Sequence, residues 1–135
     1  MSKAAELAQK LLDQRIETIE RLKDIGNERL EVEGPRGRPL RSTAWLLANH
    51  ELSHTVQVEK TRQALGAMPS EVHMILGHAL TARAALAAAM VGMSDEELER
   101  KPAPDQWSVR EIVEHVLKYD PMFTERLAPG SAEAE

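Results

Sequence analysis

Apolar side chains recur every three or four residues along most of this 135-residue chain and nowhere alternate with polar ones, a period that fits helices and excludes half-buried strands. Leu12, Ile16, Ile19, Leu22 and Gly26 follow that step among Glu, Arg and Asp, which predicts an amphipathic helix from about Lys3 to Leu30. Residues 33 to 39, Glu-Gly-Pro-Arg-Gly-Arg-Pro, cannot continue it. With Arg41 they read as a solvated loop carrying a positive patch, anion binding being the alternative. Ser42 or Thr43 can cap a second helix running through Trp45, Leu47, His50, His54, Val58 and Leu65 to Gly66. After a break at 67–70, a third helix from about Glu71 to near Gly92 is expected to bury Val72, Ile75, Leu76, Ala79, Leu86 and Met90. Its Ala84 to Ala89 stretch would let a neighbouring backbone approach closely. Ser94-Asp95-Glu96-Glu97 is a capping box for a short turn, and Lys101 to Asp105 is a rigid link. Ser108-Val109-Arg110-Glu111 is a second capping box, so a fourth helix starts at Trp107 or Ser108. Pro121 should kink or end it, and residues 129–135 are expected to be disordered.

Hydrophobic residues make up 42% of the chain but aromatics only 3%, so any core is built from Leu, Ile, Val, Ala and Met. Four helices with short links predict an all-α, four-helix-bundle domain over residues 1–128, made of one hairpin at 1–66 and another at 70–128. With no cysteine, disulfides, iron–sulfur clusters and thiolate nucleophiles are excluded, and a metal must be held by nitrogen and oxygen. A net charge of −5 argues against a nucleic-acid partner. The N-terminus has no apolar leader, and Ala79 to Met93 is too short to span a membrane and carries Arg83. A soluble cytoplasmic protein with no membrane partner is the expectation.

Histidine therefore carries the chemistry. His50 and His54, at i and i+4, put their rings on one helical face about 6 Å apart along the axis, close enough to share an ion. Leu47, Val58 and Leu65 share that face, so it is expected to point inward. His115 lies in line with Ile112, Tyr119 and Met122 on the fourth helix. Three neutral imidazoles would make an open divalent site suited to Zn or Ni. The competing reading leaves all three as packing histidines. His73 and His78, five apart, share no face and read as surface or packing residues. His50-Glu51-Leu52-Ser53-His54 also satisfies H-E-x-x-H, the zinc-peptidase pattern with Glu51 as general base. Such enzymes place that helix beside a sheet, and no strand is predicted here.

Two stretches resemble the DinB-like superfamily of metal-binding four-helix bundles. Residues 92–115, with Trp107-Ser108-Val109 leading to His115, look like the family's first hairpin. Residues 49–58, with His50, His54 and Gln57 and the later Leu65-Gly66, are similar to its last helix. The resemblance implies the ligands His50, His54 and His115, and a metal-dependent enzyme such as a thiol-dependent transferase or a hydrolase acting on a small molecule. In the thiol-dependent relatives the metal would make a low-molecular-weight thiol nucleophilic. Glu51 and Glu114 are the nearest acid/base candidates by sequence. The alternative is a non-catalytic metal-binding or stress-associated interaction module. Here the two hairpins stand in permuted order. If the family packing is kept, the link at 67–70 is too short to run back along a helix, so the second and third helices should continue end to end. Each hairpin would then complete a bundle with another chain, giving a swapped homodimer whose sites take His50 and His54 from one copy and His115 from the other. An up-down-up-down monomer is the competing arrangement.

Overall fold

The computed structural model describes residues 1–130. Its elements are α1 (Lys3–Leu22), α2 (Leu40–Ala64), α3 (Glu71–Ala88), α4 (Asp95–Glu99) and α5 (Val109–Leu127). The described residues form no strand, only an isolated antiparallel bridge between Glu33 and Pro39. The fold is all-helical, as the periodicity requires. Residues 131–135, most of the tail expected to be disordered, lie outside the described residues.

Side chains at the helix starts explain most boundaries. The Ser2 hydroxyl accepts from the Ala5 N–H at 3.2 Å, and Ser70 accepts from His73 N–H while the His73 ring accepts from Ser70 N–H. His73 is thus a capping residue. Ser94 and Glu97 form the expected capping box on α4. At α5 the Ser108 hydroxyl accepts from Glu111 N–H at 3.2 Å, but the Glu111 carboxylate pairs with Lys101 at 3.2 Å instead of closing a box. Ser108, only 3% exposed, is the one buried side chain among the described residues. Ser108→Ala should therefore destabilise the α5 segment by about 1 kcal/mol, seen as a lower denaturant midpoint in a far-ultraviolet unfolding curve.

Three boundaries differ from the sequence expectation. The first helix stops at Leu22 rather than Leu30, and Asn27–Glu31 form a separate 3-10 turn. Gly26 and Asn27 are poor helix formers, and an ion pair at 2.5 Å from Glu31 to Arg41 draws that turn onto α2. Next, α2 begins at Leu40 and has no side-chain cap, so neither Ser42 nor Thr43 serves. A backbone clasp takes over, with Leu40 N–H donating to Val32 C=O at 2.8 Å and Gly34 N–H to Arg38 C=O at 2.6 Å. Arg36, at the clasp's tip, has φ 61 beside Gly37 at φ 71. The arginine-rich loop is thus a pinned turn. Finally, α5 runs through Pro121 to Leu127. The proline removes one N–H from the helix ladder without ending it.

Gly66 closes α2 with φ 67, Ala67 N–H donating to Arg62 C=O and Gly66 N–H to Gln63 C=O, a Schellman ending that needs a left-handed residue. Beyond α3, Val91 lines one cleft with Ala44, Leu47 and Ala48 of α2 and Ile19 and Leu22 of α1. From Ala48 the rest of α2 carries the chain about 24 Å away, so α3 must bring it back. Thus α2 and α3 run in opposite senses, which corrects the end-to-end continuation expected from the short link. The Gly66 turn reverses the chain within a few residues, leaving α3 splayed from α2 rather than packed along it.

The chain divides into two units, Met1–Val91 and Gly92–Glu135. The first unit ends just after α3. In the first unit α1 and α2 meet through the cleft and through Arg15–Glu51 at 3.1 Å. In the second, α4 and its link are tied to α5 by Lys101–Glu111 and by Arg110, which donates to Glu99. That hydrogen bond and the Glu99 charge hold the exposed Arg110 guanidinium above its ordinary arginine value. No described hydrophobic residue is buried. Val72, Ile75 and Leu76, expected in the core, are about three-fifths exposed at 62%, 60% and 58%.

Candidate metal centre

On α2 the helical rise brings His50 and His54 together as their spacing demands. Their rings meet edge to face with centroids 4.6 Å apart, and the two Nε2 atoms lie 3.1 Å apart. Two imidazole nitrogens bound tetrahedrally at zinc distances are separated by about 3.3 Å. The observed 3.1 Å is close to that value and is also the length of a nitrogen–nitrogen hydrogen bond.

Gln57, one turn on, settles the tautomer. Its Oε1 accepts from His54 Nδ1–H at 2.9 Å, which leaves the lone pair on His54 Nε2. His50 then donates Nε2–H into that lone pair, and replacing this proton by a metal would leave both nitrogens facing one ion. The sequence reading used Gln57 only as part of a family likeness. Its position at i+3 from a ligand histidine was the signal for an orienting role.

The same face was expected to point inward, yet His50 and His54 are exposed. The stripe of α2 that meets α1 is Ala44, Leu47, Ala48 and Glu51, about a quarter turn away from the histidines. Glu51 therefore lies in the α1–α2 cleft with its carboxylate committed to Arg15.

His115 stands in the second unit between two aromatic rings, with Trp107 at 4.9 Å and Tyr119 at 4.6 Å between centroids. Tyr119 is one helical turn beyond it, and Trp107 is held just before the Ser108 cap. Sequence reasoning had used Trp107 as a helix start and as part of the Trp-Ser-Val entry to His115, and Tyr119 only as a stripe member. Beside Trp107 a cleft is lined by Met93, Glu97, Arg100, Pro102, Val109 and Ile112. Glu114 is exposed, one turn from Arg110. His73 caps α3 and His78 is exposed, in keeping with their surface reading. Among the described residues no three His, Asp or Glu side chains gather around one point. Among the described residues the structure thus joins His50 to His54, with Gln57 behind them, and gathers no third His, Asp or Glu around them.

These features define an all-helical protein with a hydrogen-bonded histidine pair on one helix and an aromatic-flanked histidine on another. Residues 78–134, a segment that holds α4, α5 and His115, match the DinB superfamily. A 29-residue stretch is 48% identical to YuaE, an uncharacterized protein of Bacillus subtilis (strain 168), covering 22% of this chain and 18% of that protein. The match thus spans under a fifth of the relative's length. No solved structure matches the chain.

Proposed function

We propose that the protein is a DinB-like divalent-metal protein, and that it works as a metal-dependent enzyme on a small molecule, of the thiol-dependent transferase or hydrolase kind. The observation that carries this reading is the 3.1 Å separation of the His50 and His54 Nε2 atoms with Gln57 fixing the His54 tautomer. His115 is the third ligand in this reading, and zinc or nickel suits three imidazole nitrogens. When bound, the ion would supply Lewis acidity to a thiol or a water molecule.

The chain's own residues divide the remaining work. Gln57 orients His54, while Trp107 and Tyr119 fix the plane of His115. Arg15 holds Glu51 away from the histidines, so Glu114, adjacent to His115, is the carboxylate free to take a proton from the nucleophile. Commitment of Glu51 to Arg15 also weighs against an H-E-x-x-H peptidase, whose glutamate must act as base. The protein is read as a homodimer, with a low-molecular-weight thiol as co-substrate.

Elemental analysis of untagged protein, purified without chelator, tests the metal. Near-stoichiometric zinc or nickel in wild type, lost in both His54→Ala and His115→Ala, is the expected result. No metal in wild type, even after adding it back, overturns the reading in favour of a non-catalytic helical module. Gln57→Leu should keep the three ligands but lower zinc affinity about 10- to 100-fold, measured by competition with a chromogenic chelator.

A further inference from the structure

We infer that the cleft beside Trp107 binds a small aromatic carboxylate, with the ring against Trp107 and the carboxylate on Arg100. The cleft holds about 440 Å³, and all its lining residues fall between Met93 and Ile112. It therefore belongs to the second unit alone, built by α4, the link after it and the first turn of α5. Its volume lies within the range of small-molecule sites, about 300–1,000 Å³.

The walls favour an aromatic ring. Trp107 presents a half-exposed indole, on which a second ring can stack with an offset. Met93 adds a polarizable thioether, which attracts ring edges more than alkyl chains. The indole is also held in place, because it lies 4.9 Å from the His115 ring and directly precedes the buried Ser108 cap. Charge then selects the carboxylate. Glu97 and Arg100 are the two ionised side chains in the lining. Glu97 is committed to the α4 capping box, where it accepts from Ser94 N–H at 3.0 Å. The cations next to Arg100 along the link are committed too, Lys101 to Glu111 and Arg110 to Glu99. Among the described residues Arg100 pairs with no carboxylate. A guanidinium at the edge of an apolar cleft holds a carboxylate through two parallel N–H···O bonds. A neutral ligand would leave that fork unused. The inference is independent of the histidine ligands, since none of them lines the cleft.

Titration of isotope-labelled, metal-free protein with cinnamate tests the site, read at the indole N–H of Trp107 by heteronuclear NMR. Trp45→Phe removes the other indole signal. The expected result is a saturable shift of the Trp107 signal in wild type. Affinity should be about 10-fold lower for cinnamamide, the neutral isostere, and about 10-fold lower for cinnamate in Arg100→Gln, as loss of one charge-assisted pair requires. Arg100→Lys, which keeps the charge without the fork, should fall between them. No saturable shift at Trp107, equal affinity for carboxylate and amide, or unchanged affinity in Arg100→Gln overturns the inference. A Trp107 signal that moves with protein concentration before ligand is added assigns the cleft to a second copy of the chain, and also overturns it. Circular dichroism checks that Arg100→Gln folds, and the comparison of cinnamate with cinnamamide on wild type decides the matter if it does not.

Discussion

His54→Ala is expected to lower zinc affinity by more than about 100-fold, a larger loss than orienting residues cause. His54 stands at the junction of both observed contacts, donating through Nδ1 to Gln57 and meeting His50 through Nε2. Its removal leaves His50 without a second nitrogen at chelating distance, and a lone exposed imidazole holds zinc weakly. Helix content should be unchanged, since neither ring contributes to a cap and both are exposed. Competition titration of wild type and variant, with circular dichroism on the same samples, checks both halves. Equal affinities in the two proteins would remove α2 from the metal centre.

On the proposed homodimer reading, Ile75→Asp should leave the protein as single subunits. α3 carries apolar side chains on most of its circumference rather than on one stripe, a pattern that belongs to a helix enclosed on several sides. In one chain that enclosure is missing, with Met74 58% and Ile75 60% exposed. Losing the burial of an isoleucine costs about 1.5–3 kcal/mol, and an unpaired carboxylate placed in the contact adds to that. Two copies of the change in one interface weaken association by more than about 100-fold. Light scattering at micromolar concentration should fall from a two-subunit to a one-subunit mass. A variant that keeps the two-subunit mass would place α3 outside the interface.

What the residues disclosed depended on the range over which each signal acts. Ser94 and Ser108 announce helix starts because a cap is decided within four residues, and the i, i+4 histidines converge because a single helix fixes their separation. Gly26 was counted in the helical step despite being a poor helix former, and the turn after α1 also depends on the Glu31–Arg41 pair, which joins residues ten apart. The start of α2 was misplaced for the same reason. Its first N–H groups are served by a backbone clasp closed at Val32, so no serine or threonine is needed. Apolar spacing identified the faces that seek cover without saying what covers them, so Val72, Ile75 and Leu76 were expected in a core they do not form within one chain. The stretch that matches the DinB superfamily, residues 78–134, contains His115 but not His50 or His54. The proposed role of the α2 pair therefore rests on its own geometry.

X-ray absorption at the zinc edge of the metal-loaded protein tests the central claim most directly, because it counts the atoms bound to the ion. The account predicts three imidazole nitrogens at about 2.0–2.1 Å with at least one exchangeable light ligand, and one imidazole fewer in His115→Ala under conditions that force loading. Four protein ligands with no exchangeable position, or an imidazole count untouched by His115→Ala, would contradict an open centre built from His50, His54 and His115.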